Sequence, residues 1–437
     1  MNLLRRPWIS KRWKEWEMIR RFGIVFAFTY ISYLISPIYL YAKGPWTSGG
    51  GTLKQGAGAR PLGMGETFVG LSDDINAFQY NIAGLSNIPK REIGMMYLKG
   101  LVDTNYGNIA YAQPLGGRGY IGGSILTLQG GNIEINWWDG TNVTTERRKA
   151  QQDYIFALGY AHDLLREREL SIGANLKVMR SYLVEKSVAT SFAMDIGGLY
   201  RLFKDRLSLG LSIQNIGTEM KYTGELASGS AGDLLPFAIR FGIMYNIVSD
   251  GSNKLTGVVD LNKYRYTKAQ GNIGIEYWLK DTLAIRTGYK IGYDLDSVTA
   301  GIGFKFKDYQ LDYGFGLVDK IDNLHKVSFI LRFGGPSSKQ KDKAEGKYQE
   351  GVRYYEAKEY AFATVKFNEA LEINSNHRES QIKICKVVEQ IYQQGLEYYN
   401  KGEYIRAISE FIKVLELNPM HKEVRTKIVE ANEKLKK

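Results

Sequence analysis

The sequence is poor in the residue types that build catalytic and metal centres. Of 437 residues one is a cysteine, Cys385, and the four histidines show no spacing typical of metal ligands. A single cysteine cannot form a disulfide within the chain, and no Cys/His cluster favours a thiolate metal site. No phosphate-binding or dinucleotide-binding glycine motif is present. We therefore predict that the protein is not an enzyme and has neither a metal nor a cofactor.

Long apolar runs and basic stripes are also scarce. The mean hydropathy of −0.28 excludes a protein that crosses a membrane with many helices. Seven basic residues lie in Met1–Arg21 and the others are spread along the chain, so nothing favours nucleic acid as a partner. An uncharged stretch over 22–40 follows the basic terminus. This order predicts a signal peptide over 1–42, cleaved after Ala42, with an uncleaved membrane anchor as the alternative.

Glycine (48) and tyrosine (30) are abundant, and apolar residues alternate with polar ones over long stretches. In Tyr309–Leu317 every odd position is aromatic or aliphatic, while the even positions are Gln, Asp, Gly and Gly. Alternation places these two sets on opposite faces of a strand. Charged residues on the glycine-bearing face must point inward, because Arg or Lys at the lipid midplane costs about 2–4 kcal/mol. The pattern predicts a membrane-spanning barrel rather than a soluble β-rich domain.

Fourteen strands are predicted within 91–333, an even number, as in single-chain outer-membrane barrels. They fall near 92–100, 106–114, 119–129, 152–162, 169–183, 190–203, 206–216, 235–248, 254–264, 270–279, 282–293, 297–307, 309–317 and 324–333. The long connections, Gly130–Gln151 and Gly217–Leu234, are both odd-numbered. Such barrels keep short turns in the periplasm, so both ends of the barrel are predicted to be periplasmic.

After a linker over 334–344, the spacing of the apolar residues changes from that of a strand to that of a helix. Tyr348–Tyr355 matches Tyr392–Tyr399 at a spacing of 44 residues, and Ala363-x-x-x-Phe367 matches Ala407-x-x-x-Phe411. The pattern resembles tetratricopeptide repeats over 345–437, which pair antiparallel helices and expose a groove. We predict that the repeats are periplasmic and bind a partner. The aromatic candidates for that role are Tyr348, Tyr355, Phe367, Tyr392, Tyr399 and Phe411, and Cys385 is predicted to be a buried small apolar residue.

A glycine-rich segment precedes the first strand. It contains Gly58-Ala59-Arg60-Pro61-Leu62-Gly63-Met64-Gly65, then Asp73-Asp74-Ile75-Asn76-Ala77 and Asn81-Ile82-Ala83-Gly84-Leu85. These motifs resemble the opening signature of the PorV/PorQ family of FadL-like barrels, with Glu66 in place of a glycine and Ile82 in place of a proline. The resemblance implies that 43–90 folds into the lumen as a hatch. Asp73-Asp74 and Asp294-x-Asp296 are interpreted as solvated turns, with a cation site as the alternative.

The candidate site is therefore the hatch and the inward-facing wall. Its residues are Arg60, Met64, Asp73, Asp74, Asn76, Asn81, Arg240, Arg286, Lys290 and Asp312, and Trp137 and Trp138 are candidates in a surface loop. The family resemblance implies an outer-membrane component of a Gram-negative-type envelope that handles secreted cargo, with lipid and a periplasmic or secreted protein as partners. The alternatives are a FadL-like channel with a hydrophobic ligand, such as a long-chain fatty acid, in the lumen, and a structural anchor for the repeats.

Overall fold

A computed structural model describes residues 49–100, 103–117, 119–138, 140–164, 169–203, 206–225, 232–250, 253–293, 296–318 and 323–435. The predicted signal peptide, the start of the hatch segment, and Asp139 and Asp294 lie outside these ranges. Among the described residues, no helix has both the length and the apolar composition needed to cross a membrane.

The described residues form an antiparallel barrel and several shorter elements. The strands are β1 Arg91–Lys99, β2 Asn105–Pro114, β3 Tyr120–Gln129, β4 Asn132–Trp138, β5 Val143–Lys149, β6 Gln151–Asp163, β7 Leu170–Leu183, β8 Ser187–Leu202, β9 Leu207–Gly217, β10 Thr223–Gly224, β11 Ala238–Ser249, β12 Lys254–Tyr264, β13 Gln270–Leu279, β14 Leu283–Ile291, β15 Asp296–Phe306, β16 Tyr309–Val318 and β17 Leu324–Phe333. All but β4, β5 and β10 pair in a ring that β1 and β17 close. The prediction of a fourteen-stranded barrel is confirmed.

The alternation along each strand follows the predicted faces. On β16, Leu311 is 52% exposed while Asp312 is fully buried. Most of the large exposed apolar residues of the barrel lie on the outward face in the same way, from Met95 and Tyr97 on β1 to Val327 on β17. An outward apolar face and a buried polar face suit a barrel surrounded by lipid.

The long connection after β3 contains a hairpin that the sequence did not predict. β4 and β5 form a separate two-stranded sheet, with Asn132 opposite Lys149 and Trp138 opposite Val143. We call residues 132–149 the Trp hairpin. In the other long connection, β10 pairs briefly with the start of β8.

The hatch fills the barrel. Its elements are a 3-10 helix at Gly51–Lys54, α1 at Ala59–Gly63, α2 at Ala77–Tyr80 and a second 3-10 helix at Ile82–Asn87. α1 packs against β14–β17, and the second 3-10 helix packs against β3, β6, β7 and β8 on the other side of the barrel. Large hatch side chains such as Phe68, Phe78 and Tyr80 are at most 1% exposed.

Helices follow the barrel. They are α3 Ser338–Glu356, α4 Tyr360–Ile373, α5 Arg378–Asn400, α6 Tyr404–Leu417 and α7 Lys422–Leu435. α3 begins seven residues before the predicted repeat boundary at 345, because the Ser337 side chain accepts a hydrogen bond from the Gln340 N–H and caps the helix.

The prediction that Cys385 is buried is wrong, because this residue is exposed. On α5 the buried face carries Val387, Val388 and Ile391. Around the helix, Cys385 lies about 160° from Val387, about 120° from Ile391 and about 60° from Val388. It therefore lies at the edge of the packed face of α5 rather than within it.

Candidate functional site

Arg60 is the centre of a buried ionic cluster between the hatch and the wall. It lies on α1 and is 5% exposed. Its Nε and Nη2 donate to the two carboxylate oxygens of Glu276 on β13, each at 2.7 Å. Its Nη1 also donates to Asp73 Oδ1 at 2.6 Å and to Asp74 Oδ2 at 2.8 Å. A bidentate guanidinium–carboxylate pair fixes distance and orientation together, so Arg60 joins two parts of the hatch to the barrel.

The cluster continues along the wall. Arg286 Nε donates to Glu276 Oε2 at 2.6 Å, and its Nη1 donates to Asp312 Oδ1 at 2.8 Å. Glu276 therefore receives hydrogen bonds from two arginines. The sequence reasoning identified Arg286 and Asp312 but missed Glu276, which it could have found on the polar face of the strand near 270–279.

The prediction of a solvated turn is wrong for Asp74, whereas the side chain of Asp73 is 31% exposed. Asp74 is fully buried, and it accepts hydrogen bonds from both the backbone N–H and the side-chain amide of Asn76 in addition to Arg60. The nearby guanidinium is the physical reason, since buried carboxylates need a cationic partner. In the described part of the chain, no group of three or more potential metal ligands is gathered.

The opposite side of the hatch is fixed by backbone groups. The Asn81 side-chain amide donates to the Val69 carbonyl at 3.1 Å and to the Gly198 carbonyl on β8 at 2.9 Å. Asp260 on β12 accepts from the Phe68 and Val69 N–H groups at 2.8 and 3.0 Å. These contacts supply partners for hatch backbone groups that no regular ladder satisfies.

Glu66 departs from the family signature, and its surroundings explain how the departure is accommodated. Its φ of 59° lies in the left-handed region that favours glycine. The carboxylate lies 3.5 Å from Lys326 Nζ and 3.8 Å from Lys290 Nζ. Lys326 also donates to the Gly56 carbonyl at 2.7 Å. Ionic contacts to the wall therefore compensate for an unfavourable backbone conformation.

Other predicted lumenal residues also face the hatch. Arg240 Nε donates to Asn262 Oδ1 at 2.7 Å, and its guanidinium lies 5.0 Å from the centre of the Tyr80 ring. Met64 is fully buried and packs with Phe68.

Inward-facing glycines let the hatch backbone touch the barrel wall. A Cβ on Gly288 of β14 would lie 2.1 Å from the Gly65 nitrogen. A Cβ on Gly242 of β11 would lie 2.4 Å from the Gly70 nitrogen. Any side chain at these positions would displace the hatch, so the shape of the wall is matched to this segment.

The inner wall becomes apolar on the side of the long connections. Leu53 of the hatch packs in one cluster with Met96, Leu126 and Ile155 of the wall. Met220 and Leu235 from the long connection after β9 complete this cluster. This end of the lumen is therefore filled by hatch and loop side chains.

The Trp hairpin has an exposed aromatic surface. Trp138 is 67% exposed and Trp137 is 37% exposed. Lys186, in the turn between β7 and β8, lies 4.3 Å from the centre of the Trp137 ring. Both candidate tryptophans are therefore accessible, on the same side of the barrel as the long connections.

The two helical units repeat the same contacts 44 residues apart. The Tyr348 ring lies 5.7 Å from Phe367 and 5.2 Å from His377, and Tyr392 lies 6.0 Å from Phe411 and 5.1 Å from His421. Phe367 and Phe411 are fully buried. These two predicted partner-binding residues form the core of the repeats and cannot themselves contact a partner in this arrangement. Tyr355 and Tyr399 are partly exposed.

The first repeat helix is joined to the end of the hatch. Lys339 Nζ donates to Asn87 Oδ1 at 2.7 Å, and the Ser337 N–H donates to the Pro89 carbonyl at 2.7 Å. Asn87 also accepts from Arg201 of β8 at 3.0 Å and donates to the Ser72 carbonyl at 3.2 Å. We call these contacts the hatch–repeat junction. Through Asn87, these contacts link the barrel wall, the hatch and the repeats.

Comparison with known proteins identifies the family. The sequence model for the type IX secretion system protein PorV matches residues 46–269, from the hatch through twelve of the structure's strands. The chain belongs to the PorV family. No curated protein matches the sequence significantly.

Similar solved structures include two toluene transporters. TodX of Pseudomonas putida is 13% identical, with 64% of this chain and 99% of that chain covered and a TM-score of 0.46. TbuX of Ralstonia pickettii is 12% identical, with the same coverage and a TM-score of 0.47. As a PorV-family barrel, the chain is an outer-membrane protein.

Proposed function

We propose that this PorV-family barrel is a secretion-associated scaffold that handles exported proteins at its outer end and binds a periplasmic partner through its repeats. Family membership supports the link to type IX secretion. The observation that carries the proposal is the hatch, which is tied to opposite walls by Arg60–Glu276 and Asn81–Gly198. A lumen filled in this way favours binding of proteins at the two ends of the barrel over transport of a molecule through it.

Each end of the barrel has a surface to which another protein could bind. The Trp hairpin exposes two tryptophans, and aromatic side chains are enriched where proteins bind one another. At the other end, α3 begins at the hatch–repeat junction, and two helical units are fewer than the three usually needed for independent stability. A periplasmic partner that packs on the repeats would supply the missing contacts.

A second candidate is uptake of a hydrophobic molecule such as a long-chain fatty acid. The apolar inner wall around Met96, Leu126 and Ile155 favours it. The ionic contacts of Arg60, Arg286 and Asp312 oppose it, because a diffusing ligand would have to disrupt them.

One deletion strain can separate these functions. It would be complemented with the full chain, with a chain lacking residues 339–437, and with Trp138→Ala. The proposal expects surface-secreted protein to fall in the deletion strain and in both variants, while uptake of labelled fatty acid is unchanged.

The opposite result would support uptake: fatty-acid uptake falls in the deletion strain and secretion stays normal. If secretion and uptake are both normal and only a periplasmic protein is mislocalised, the barrel is a structural anchor for the repeats.

A further inference from the structure

One edge of the Trp hairpin is an unpaired β-strand. β4 and β5 form a two-stranded sheet, and within the described residues β4 pairs with no strand besides β5. The β5 side is flanked by the turn between β7 and β8. There the Val184 N–H donates to the Ala150 carbonyl at 2.9 Å, and Arg148 lies 3.9 Å from Glu185. The outer edge of the sheet is therefore β4.

Charges are distributed unevenly between the two strands. β5 reads Val-Thr-Thr-Glu-Arg-Arg-Lys, whereas β4 reads Asn-Ile-Glu-Ile-Asn-Trp-Trp with Glu134 as its one charge. Proteins usually protect an exposed edge with lysine, proline, a bulge or a covering loop, because its unpaired N–H and C=O groups attract other strands. β4 has no lysine or proline, and its Ile133 and Trp138 side chains are 39% and 67% exposed.

We propose that β4 accepts an extended strand of an exported protein by β-strand addition. The incoming main chain hydrogen-bonds to the outer edge of β4, and its alternate side chains lie beside those of Ile133, Ile135 and Trp137. The charge pattern fits an apolar strand of low net charge, since Glu134 is already opposite Arg147. This inference rests on the proposed function, which brings exported proteins to the side of the long connections. The Trp hairpin lies on that side.

Two opposed residues give a matched pair of variants. Asn136 on β4 and Thr145 on β5 are directly opposite and both exposed, and the Thr145 hydroxyl donates to Asn136 Oδ1 at 2.7 Å. Asn136→Lys and Thr145→Lys therefore lose the same hydrogen bond and add the same charge. Only Asn136→Lys places that charge on the edge strand.

The binding test uses the full chain in detergent micelles. The probe is a fluorescein-labelled seven-residue peptide of alternating valine and threonine, matching the length of β4. A second peptide is N-methylated at every backbone amide, so that neither of its edges can donate main-chain hydrogen bonds. Strand addition expects the methylated peptide to bind at least about tenfold more weakly. Asn136→Lys should weaken the unmethylated peptide by a similar factor, while Thr145→Lys stays within about twofold of the unmodified chain.

No binding, equal binding of the two peptides, or equal affinity of both lysine variants would overturn strand addition. In cells, Asn136→Lys should lower the surface yield of exported proteins and Thr145→Lys should not. Normal secretion with Asn136→Lys would remove this inference and leave the proposed function standing. If secretion is normal in the deletion strain, the proposed function is wrong. The peptide measurements still decide whether β4 accepts a strand.

Discussion

Replacing Arg60 with leucine should release the hatch while leaving the barrel wall closed. The guanidinium is almost fully buried and pairs with Glu276, Asp73 and Asp74 at 2.6–2.8 Å. Removing one member of a buried ion pair costs about 3–5 kcal/mol, because the remaining charges stay buried without their partner. Since 1.4 kcal/mol corresponds to a factor of ten, local opening of residues 59–76 should become about 100-fold to 4,000-fold more frequent.

Hydrogen exchange followed by mass spectrometry measures this opening directly in detergent micelles. Peptides from 59–76 should exchange faster in Arg60→Leu, whereas peptides from β14 and β16 should not change. Arg180→Leu is the control, because Arg180 is exposed on the outer face of β7, where its guanidinium lies 5.4 Å from the centre of the Tyr182 ring. Unchanged exchange in the hatch, or an equal increase in the barrel strands, would refute the assignment of Arg60 as the residue that holds the hatch to the wall.

Three further predictions test other contacts. Gly288→Ala should destabilise the hatch by about 1–3 kcal/mol by overpacking against Gly65. For Gly257→Ala the new Cβ would lie 3.5 Å from Ile247, an ordinary contact, so hatch exchange should be unchanged. Equal effects of the two substitutions would contradict the close-approach argument. Lys339→Ala should speed exchange of residues 82–88 at least about tenfold, since a hydrogen bond to a charged group contributes about 1.5–3 kcal/mol, and Lys341→Ala on the same helix should not. In the repeats, burial alone would raise the pKa of Glu369, but hydrogen bonds from Lys347 and Lys366 outweigh it and lower that pKa below 4.5. The ionised carboxylate therefore stabilises α3 against α4 above pH 4.5, and this contribution is lost as the pH falls through the lowered pKa. Glu369→Gln should flatten this acid dependence of helix melting, measured by circular dichroism, and an unchanged acid profile would contradict it.

The barrel could be predicted because its signal is local. A strand between lipid and a polar lumen must alternate at every second residue, so each strand carries its own evidence. The Trp hairpin was missed for the same reason. Trp137-Trp138 and Arg147-Arg148 place similar residues side by side, because both faces of this hairpin are exposed and neither is required to be apolar.

The partners within the lumen could not be predicted in this way. Arg60 and Glu276 are 216 residues apart, and their contact depends on how the hatch is seated in a finished barrel. Because Arg60 is an arginine, it was expected to need polar partners. Its residue type could not show which carboxylate is the partner. The error at Asp74 has the same origin, since a buried carboxylate beside Arg60 has the same local sequence as one in an exposed turn. The prediction that Cys385 is buried was wrong because it depended on residue type and not on position around α5.

The hatch–repeat junction connects the repeats to the contacts that hold Arg60 in the lumen. Lys339 contacts Asn87, Asn87 contacts the Ser72 carbonyl, and the next two residues are the aspartates that hold Arg60. A partner that draws α3 away from the barrel would break the first of these contacts at a cost of about 1.5–3 kcal/mol. Such a cost lies within the range of coupling free energies between distant sites. Because the repeats are attached at this point rather than on a free linker, a movement of α3 can alter the stability of the hatch.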